Sequence, residues 1–190
     1  MRTRLALLSL AALAACSDVG DPNEANEEEV ITTVELTFTG GDETFTAVWS
    51  DIENDGSALV DDIGLLADTT YTVDVRFLNE LEDPAEDITE EVEDESDQHQ
   101  VFFTGTAVDD GLLTATYDDT DANGLPVGLS WTLDTGAAGT GDLVVTLQHL
   151  PPVDDAAQKE DGLADQAATN GVSSLPGDAE VNVSFAVTVE

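Results

Sequence analysis

The chain has 190 residues, 42 of them acidic and four basic, for a formal charge of −38. That balance makes nucleic acid and anionic membrane surfaces poor partners, because both need clusters of Lys and Arg, and it leaves no Arg clamp for phosphate. A single cysteine rules out an internal disulfide, and 41% hydrophobic content at this length suits one globular domain.

In chain order, the first element is a leader. Arg2 and Arg4 give a basic start, residues 5–12 form a short apolar run, and Leu13-Ala14-Ala15-Cys16 ends it on small residues. The layout is that of a secretory signal peptide, too short to cross a bilayer as a stable helix. It closely resembles a bacterial lipoprotein signal with its lipobox. The resemblance implies cleavage after residue 15 and lipid attachment at Cys16, and with it anchoring to a membrane. An ordinary cleaved signal would instead leave a lone exported thiol. Ser17 stands where enterobacterial sorting reads Asp as inner-membrane retention, so the resemblance favours the outer membrane, on its periplasmic or surface face. Residues 16–29 then form an acidic tether of Asp, Glu, Asn, Gly and Pro. Such a segment reads either as a plain linker or as the acidic surface-export signal of some Bacteroidetes-type lipoproteins.

Outside the leader, Arg76 and Lys159 are the only basic residues. Self-repulsion on that scale destabilises a compact state in dilute salt. At about 1 M salt the Debye length falls to roughly 3 Å, and most of the repulsion disappears. Scarce Lys beside abundant Asp, Glu, Thr and Ala resembles a halophile's proteome, the preferred reading. Dedicated divalent-cation ligation by the carboxylates is the rival.

From residue 30 the pattern becomes strand-like. Residues 30–39 and 71–77 alternate apolar with polar side chains, 143–147 less cleanly, 45–49 reads as the strand after the turn at 40–42, and further strands fall at 100–105, 112–117, 126–133 and 179–189. Gly, Asp and Asn turns separate them. Short strands with such turns predict an all-β fold, an immunoglobulin-like antiparallel β-sandwich of about eight or nine strands over 30–190. Ala47 to Gly56 aligns without gaps on Ala115 to Gly124, and Phe38-Thr39-Gly40 matches Phe103-Thr104-Gly105. The sandwich is therefore expected to arise from two duplicated halves, 34–79 and 100–150. Between them, Asp83-Pro84-Ala85-Glu86 predicts a helix start, with Ile88 and Val92 as a thin apolar stripe, although the like charges of Glu90, Glu91, Glu93, Asp94 and Glu95 suit an acidic loop equally. Residues 151–178 read as a long loop.

Two acidic loops carry the chemistry expected from sequence. Asp119-Thr120-Asp121-Ala122-Asn123-Gly124 fits the opening of a calcium loop, in which oxygen ligands at positions one, three and five converge and Gly allows the sharp turn. Ser130 stands where a bidentate Glu would close a helix-loop-helix site, and the flanking strands argue against that architecture. The sister loop offers Asp51, Glu53 and Asp55, with Asp62 at the twelfth position. The expected metal ligands are thus Asp51, Glu53, Asp55, Asp62, Asp119, Asp121 and Asn123, and the expected ion is Ca2+. A solvated turn in a hyperacidic chain is the plainer alternative. His99 and His149, with no second cysteine, make a thin zinc site and read as structural or exposed. Trp49 and Trp131 sit in alternating strands and read as core rather than as a sugar platform. No nucleophile elbow or glycine-rich phosphate loop occurs, and so many acids make any carboxylate pair uninformative.

Ile31-Thr32-Thr33-Val34, the run from Pro84 to Glu91, His99-Gln100-Val101-Phe102-Phe103 and Thr120-Asp121-Ala122-Asn123-Gly124 together resemble a family of uncharacterised Bacteroidetes-type lipoproteins labelled as type 1 periplasmic-binding fold. The resemblance covers most of 30–190 and implies export and lipid anchoring, with no catalytic residue carried over. The function expected from sequence is a non-enzymatic binding or adhesion module of the cell envelope, taking an envelope protein or a glycan. The alternative is a structural envelope component that holds a partner protein.

Overall fold

A computed structural model describes residues 29–190 apart from Asn54. The expected signal peptide, the expected lipid attachment at Cys16 and the expected tether up to Glu28 lie outside the described residues. The alternation read from sequence becomes eight of the eleven strands. β1 (Thr33–Gly40) and β2 (Glu43–Ser50) form a hairpin, and β5 (Thr70–Asn79) pairs with the other side of β1. β8 (Leu113–Tyr117) and β9 (Ser130–Thr135) complete this sheet against β5. The second sheet is built from β7 (His99–Thr104), β10 (Gly139–His149) and β11 (Asp178–Val189), with β10 in the middle.

Three further strands are too short to show a period of two. β3 (Leu59–Val60) extends the first sheet beyond β2, β6 (Glu86–Asp87) pairs with the end of β5, and β4 (Ile63–Leu65) runs parallel to β11. The first sheet has the order β3-β2-β1-β5-β9-β8 with β6 beside β5, and the second has β4-β11-β10-β7. The fold is an all-β sandwich of two sheets.

One apolar cluster fills the space between the sheets. Along β5, Tyr71, Val73, Val75 and Phe77 are buried while Thr72, Asp74 and Arg76 face water. Along β11, Val181, Val183, Phe185, Val187 and Val189 do the same from the opposite sheet. Each fully buried Phe or Val side chain contributes about 1.5–3 kcal/mol, so this double row is the main source of stability. Trp131 is buried and stacks on Phe103 with ring centroids 4.3 Å apart, its indole N–H donating to the Gly128 carbonyl. Trp49 packs at the margin of the same cluster.

The helical segments depart from the sequence reading. α1 (Ile88–Asp94) buries Ile88 and Val92 as expected, but its cap is Asp87 rather than Asp83. Glu86 and Asp87 are held in strand pairing with Asn79 and Leu78, so the chain cannot turn helical until Ile88. The Asp87 carboxylate then accepts the Thr89 N–H at 3.2 Å. Short α2 (Thr106–Asp109) joins β7 to β8. The expected loop at 151–178 contains α3 (Leu163–Asn170) and a 3-10 turn at Val172–Ser174. Leu163 and Ala167, one helical turn apart, cover Phe102 on the outer face of the second sheet.

The two expected halves do not share a topology. β1 turns back at Gly41 and Asp42, with φ of 58° and 67°, and stays in its sheet as the β1–β2 hairpin. β7 leaves through Gly105 (φ 95°) and α2, so β8 joins the opposite sheet. A Cβ at Gly105 would stand 2.5 Å from the Asp142 carbonyl, which fixes glycine at this exit. Nor do the described residues show the helix–strand alternation that a periplasmic-binding label implies.

Candidate metal centre

Strand registers place most connecting loops at one end of the sandwich. β2 leaves at Ser50, β5 at Asn79 and β8 at Tyr117, on the side where β1 begins. The Val101 N–H donates to the Val127 carbonyl at 2.7 Å, which ties the start of β7 to the same end. The loops after Ser50 and after Tyr117 are four interstrand steps apart, about 19 Å at ordinary strand spacing.

Neither acidic loop gathers its carboxylates. Asp51 accepts the N–H groups of Asp55 (3.2 Å) and Gly56 (2.7 Å), and Asp55 accepts from Ser57. Glu53 and Asp62 are exposed. Asp119 accepts the N–H groups of Gly128 (2.7 Å), Leu129 (2.7 Å) and Ser130 (3.2 Å). Asp121 accepts from Asn123 and Leu125 with one oxygen, while the Lys159 ammonium sits 3.0 Å from the other. These are self-capped turns, and a lysine stands where the calcium ion was expected. Asn123 contributes its backbone N–H rather than its side chain. Asp51, Glu53, Asp55, Asp62, Asp119, Asp121 and Asn123 therefore share no cation shell. We expect Asp119→Ala to cost about 2–3 kcal/mol in urea unfolding, because three partly buried N–H groups lose their acceptor. Millimolar calcium should not restore it at fixed ionic strength.

The group that does converge is elsewhere. His99 opens β7, His149 closes β10, and the register sets them directly opposite each other. Their rings stack with centroids 4.6 Å apart. The third member comes from β11. Strict alternation would point Glu180 outward with Asn182 and Ser184, but the β10–β11 register shifts between Leu147 and Gln148, so Glu180 is the extra residue of a β-bulge. Bulges re-aim side chains, and this one turns Glu180 onto the two histidines. Glu180 Oε2 lies 3.5 Å from His99 Nε2, and Oε1 lies 3.3 Å from His149 Nδ1. All three side chains are buried, at 1%, 7% and 0% exposure for His99, His149 and Glu180.

The surroundings are acidic. The Glu29 N–H donates to Glu180 Oε1 at 3.3 Å where the chain joins the sandwich. Burial, with the neighbouring charges of Glu91 and Glu180, pushes the Glu29 carboxyl up to about 7. Burial likewise raises Glu95 at the end of α1. For His99, burial opposes the charged form, but Glu180 and the Glu95 carbonyl outweigh it and raise its pKa. His99 Nδ1 lies 3.2 Å from that carbonyl. A carbonyl cannot donate, so Nδ1 carries the proton and Nε2 faces the Glu180 carboxylate. Sequence reasoning weighed both histidines only as a thin zinc site and had no signal for the bulge that brings Glu180 to them. No family model matches this chain, and neither a curated protein nor a solved structure does.

Proposed function

We propose that the protein is a lipid-anchored, non-enzymatic binding module of the cell envelope, held at the outer membrane through Cys16. The observation that supports binding is a cleft of about 420 Å³ between α1 and the loop after β8. Asp74, Thr89, Glu93, Asp119 and Ser130 line it beside Val75, Val127 and Leu129. Carboxylates and hydroxyls over apolar side chains are the chemistry that takes sugar hydroxyls or a small polar solute. The lipobox, Leu13-Ala14-Ala15-Cys16, supports the anchor.

The test is fractionation of an envelope-bearing bacterium expressing the chain, with labelled fatty acid in the medium. The parent should carry label and sediment with membranes, and Cys16→Ser should lose the label and appear in the soluble fraction. An unlabelled parent, or a variant that still sediments, would sink the anchor. A second reading, a component that holds a partner protein, is favoured by the edge of the first sheet. There β3 exposes Leu59 (78%) and Val60 (44%), and exposed apolar edge strands are sites of pairing.

A further inference from the structure

We infer that His99, His149 and Glu180 form a binding site for a divalent transition cation of the zinc type. The donor set is two imidazoles and one carboxylate, which suits Zn2+ better than the hard, all-oxygen preference of Ca2+ or Mg2+. The three donor atoms lie within 4.8 Å of one another. In a tetrahedral zinc site with bonds of about 2.1 Å, neighbouring donors stand roughly 3.4 Å apart. Glu180 reaches His99 Nε2 with Oε2 at 3.5 Å and His149 Nδ1 with Oε1 at 3.3 Å, so the donors are already close, and the stacked rings must turn apart for both nitrogens to meet one ion.

Two further features are those of a ligated histidine. His99 is oriented by a hydrogen bond from Nδ1 to a backbone carbonyl, the usual way a ligand imidazole is held with its other nitrogen free for the metal. His99 Nε2 and Glu180 Oε2 are both fully buried and make no hydrogen bond. A neutral imidazole would aim a lone pair at a carboxylate there, an arrangement that needs either a proton or a cation between them. Glu29 touches the trio only through its backbone N–H, which donates to Glu180 Oε1 at 3.3 Å, so a water is left to fill the fourth position. The ligands come from three adjacent strands and are closed to solvent, so the ion acts as a staple across the loop end of the second sheet rather than as a reaction centre. This inference is independent of the anchor and of the cleft.

The experiment uses the full chain with Cys16→Ser in every sample, which removes the one thiol, and excess magnesium to occupy surface carboxylates. Zinc titration should raise the unfolding midpoint with concentration. His149→Ala and Glu180→Gln should each weaken zinc binding by at least roughly 100-fold, beyond the ~10–100-fold carried by outer partners of a ligand. Cobalt in place of zinc should give the intense visible bands of four-coordinate geometry in the parent alone. Glu180→Gln keeps the shape of the side chain, and cobalt reports the site directly, so a variant that folds poorly does not blur the result. The proposal is overturned if zinc adds nothing beyond magnesium, if either variant responds as the parent does, or if cobalt shows only weak six-coordinate bands. In those cases the trio is an imidazolium–carboxylate pair and nothing more.

Discussion

Replacing Lys159 with methionine should destabilise the protein by about 3–5 kcal/mol, the usual cost of stranding one partner of a buried ion pair. For a domain of this size that is a large fraction of the total, and the melting midpoint should fall by on the order of 10 °C. Lys159 is 4% exposed, and its ammonium donates to the Ser96 carbonyl at 2.6 Å while sitting 3.0 Å from Asp121. It thus joins three segments that make no sheet with one another: the stretch after α1, the loop after β8 and the strap after β10. Methionine keeps most of the volume and removes only the charge. Asp121 would then be a buried carboxylate with no cation beside it.

Two controls separate charge from packing. Adding Asp121→Asn to Lys159→Met removes the stranded charge but keeps an acceptor for the Asn123 and Leu125 N–H groups, so the double variant should be more stable than Lys159→Met alone. The single variant's deficit should also shrink as pH falls, because without the Lys159 charge Asp121 takes up a proton more readily than in the parent. A loss below about 1 kcal/mol in urea unfolding would show that the pair does not tie the loops together. Arg76 offers the contrast within the same molecule. It reaches Asp87 at 2.8 Å and Glu35 at 3.5 Å, but its side chain is half exposed, so Arg76→Met should cost well under 1 kcal/mol.

The sheets were legible in the sequence because a half-buried strand must alternate. Residues 71–77 and 181–189 each write one face of the core in every second position, and the structure buries those residues. What alternation could not give was partnership. Phe38-Thr39-Gly40 and Phe103-Thr104-Gly105 look alike, yet one leads into a hairpin and the other crosses to the opposite sheet, because the turn after each glycine differs. β3, β4 and β6, of two or three residues, are held by their neighbours rather than by any pattern of their own.

The candidate site shows the same division. Asp119-Thr120-Asp121-Ala122-Asn123-Gly124 was read as a cation loop because acids at alternate positions can converge. In a tight turn they can equally cap the loop's own N–H groups, and the structure has them do so. Lys159 is 38 residues from Asp121 in sequence, and nothing local announced the pair. The bulge that turns Glu180 inward breaks the very periodicity by which strands are read, so the alternation of 181–189, carried back one residue, points to the wrong face.

The second large effect is on pH. In the absence of divalent metal the protein should be most stable near pH 4–5 and lose stability steadily toward about pH 8. The sign follows from which state holds more protons. Glu29 and Glu95 are raised above their ordinary range and His99 above 6.5, so in this window the folded state binds more protons than the unfolded chain. Stability therefore falls as pH rises, first from the ordinary glutamate range to about 7 for Glu29, then through the raised pKa of His99. One full excess proton is worth about 1.4 kcal/mol per pH unit. Asp87 and Asp121 have the opposite sign. Burial raises both, but Arg76 and Thr89 for the first, and backbone N–H groups with Lys159 for the second, lower them overall. Their contribution is lost as pH falls below the ordinary aspartate range, which sets the acid limit. The groups facing His99 are Glu180 from β11, Glu29 before β1, Glu95 just after α1 and His149 stacked on its ring. Glu180 and Glu95 both favour the protonated ring, the direction that gives the fall in stability. The measurement is the midpoint of urea unfolding between about pH 4 and pH 8, with chelator and at high fixed salt so that general surface repulsion is screened. A midpoint that is flat or rises from about pH 5 to pH 8 would contradict the shifts. With zinc present the slope should reverse above about pH 6, because a metal competes with protons for the same histidine and carboxylate lone pairs.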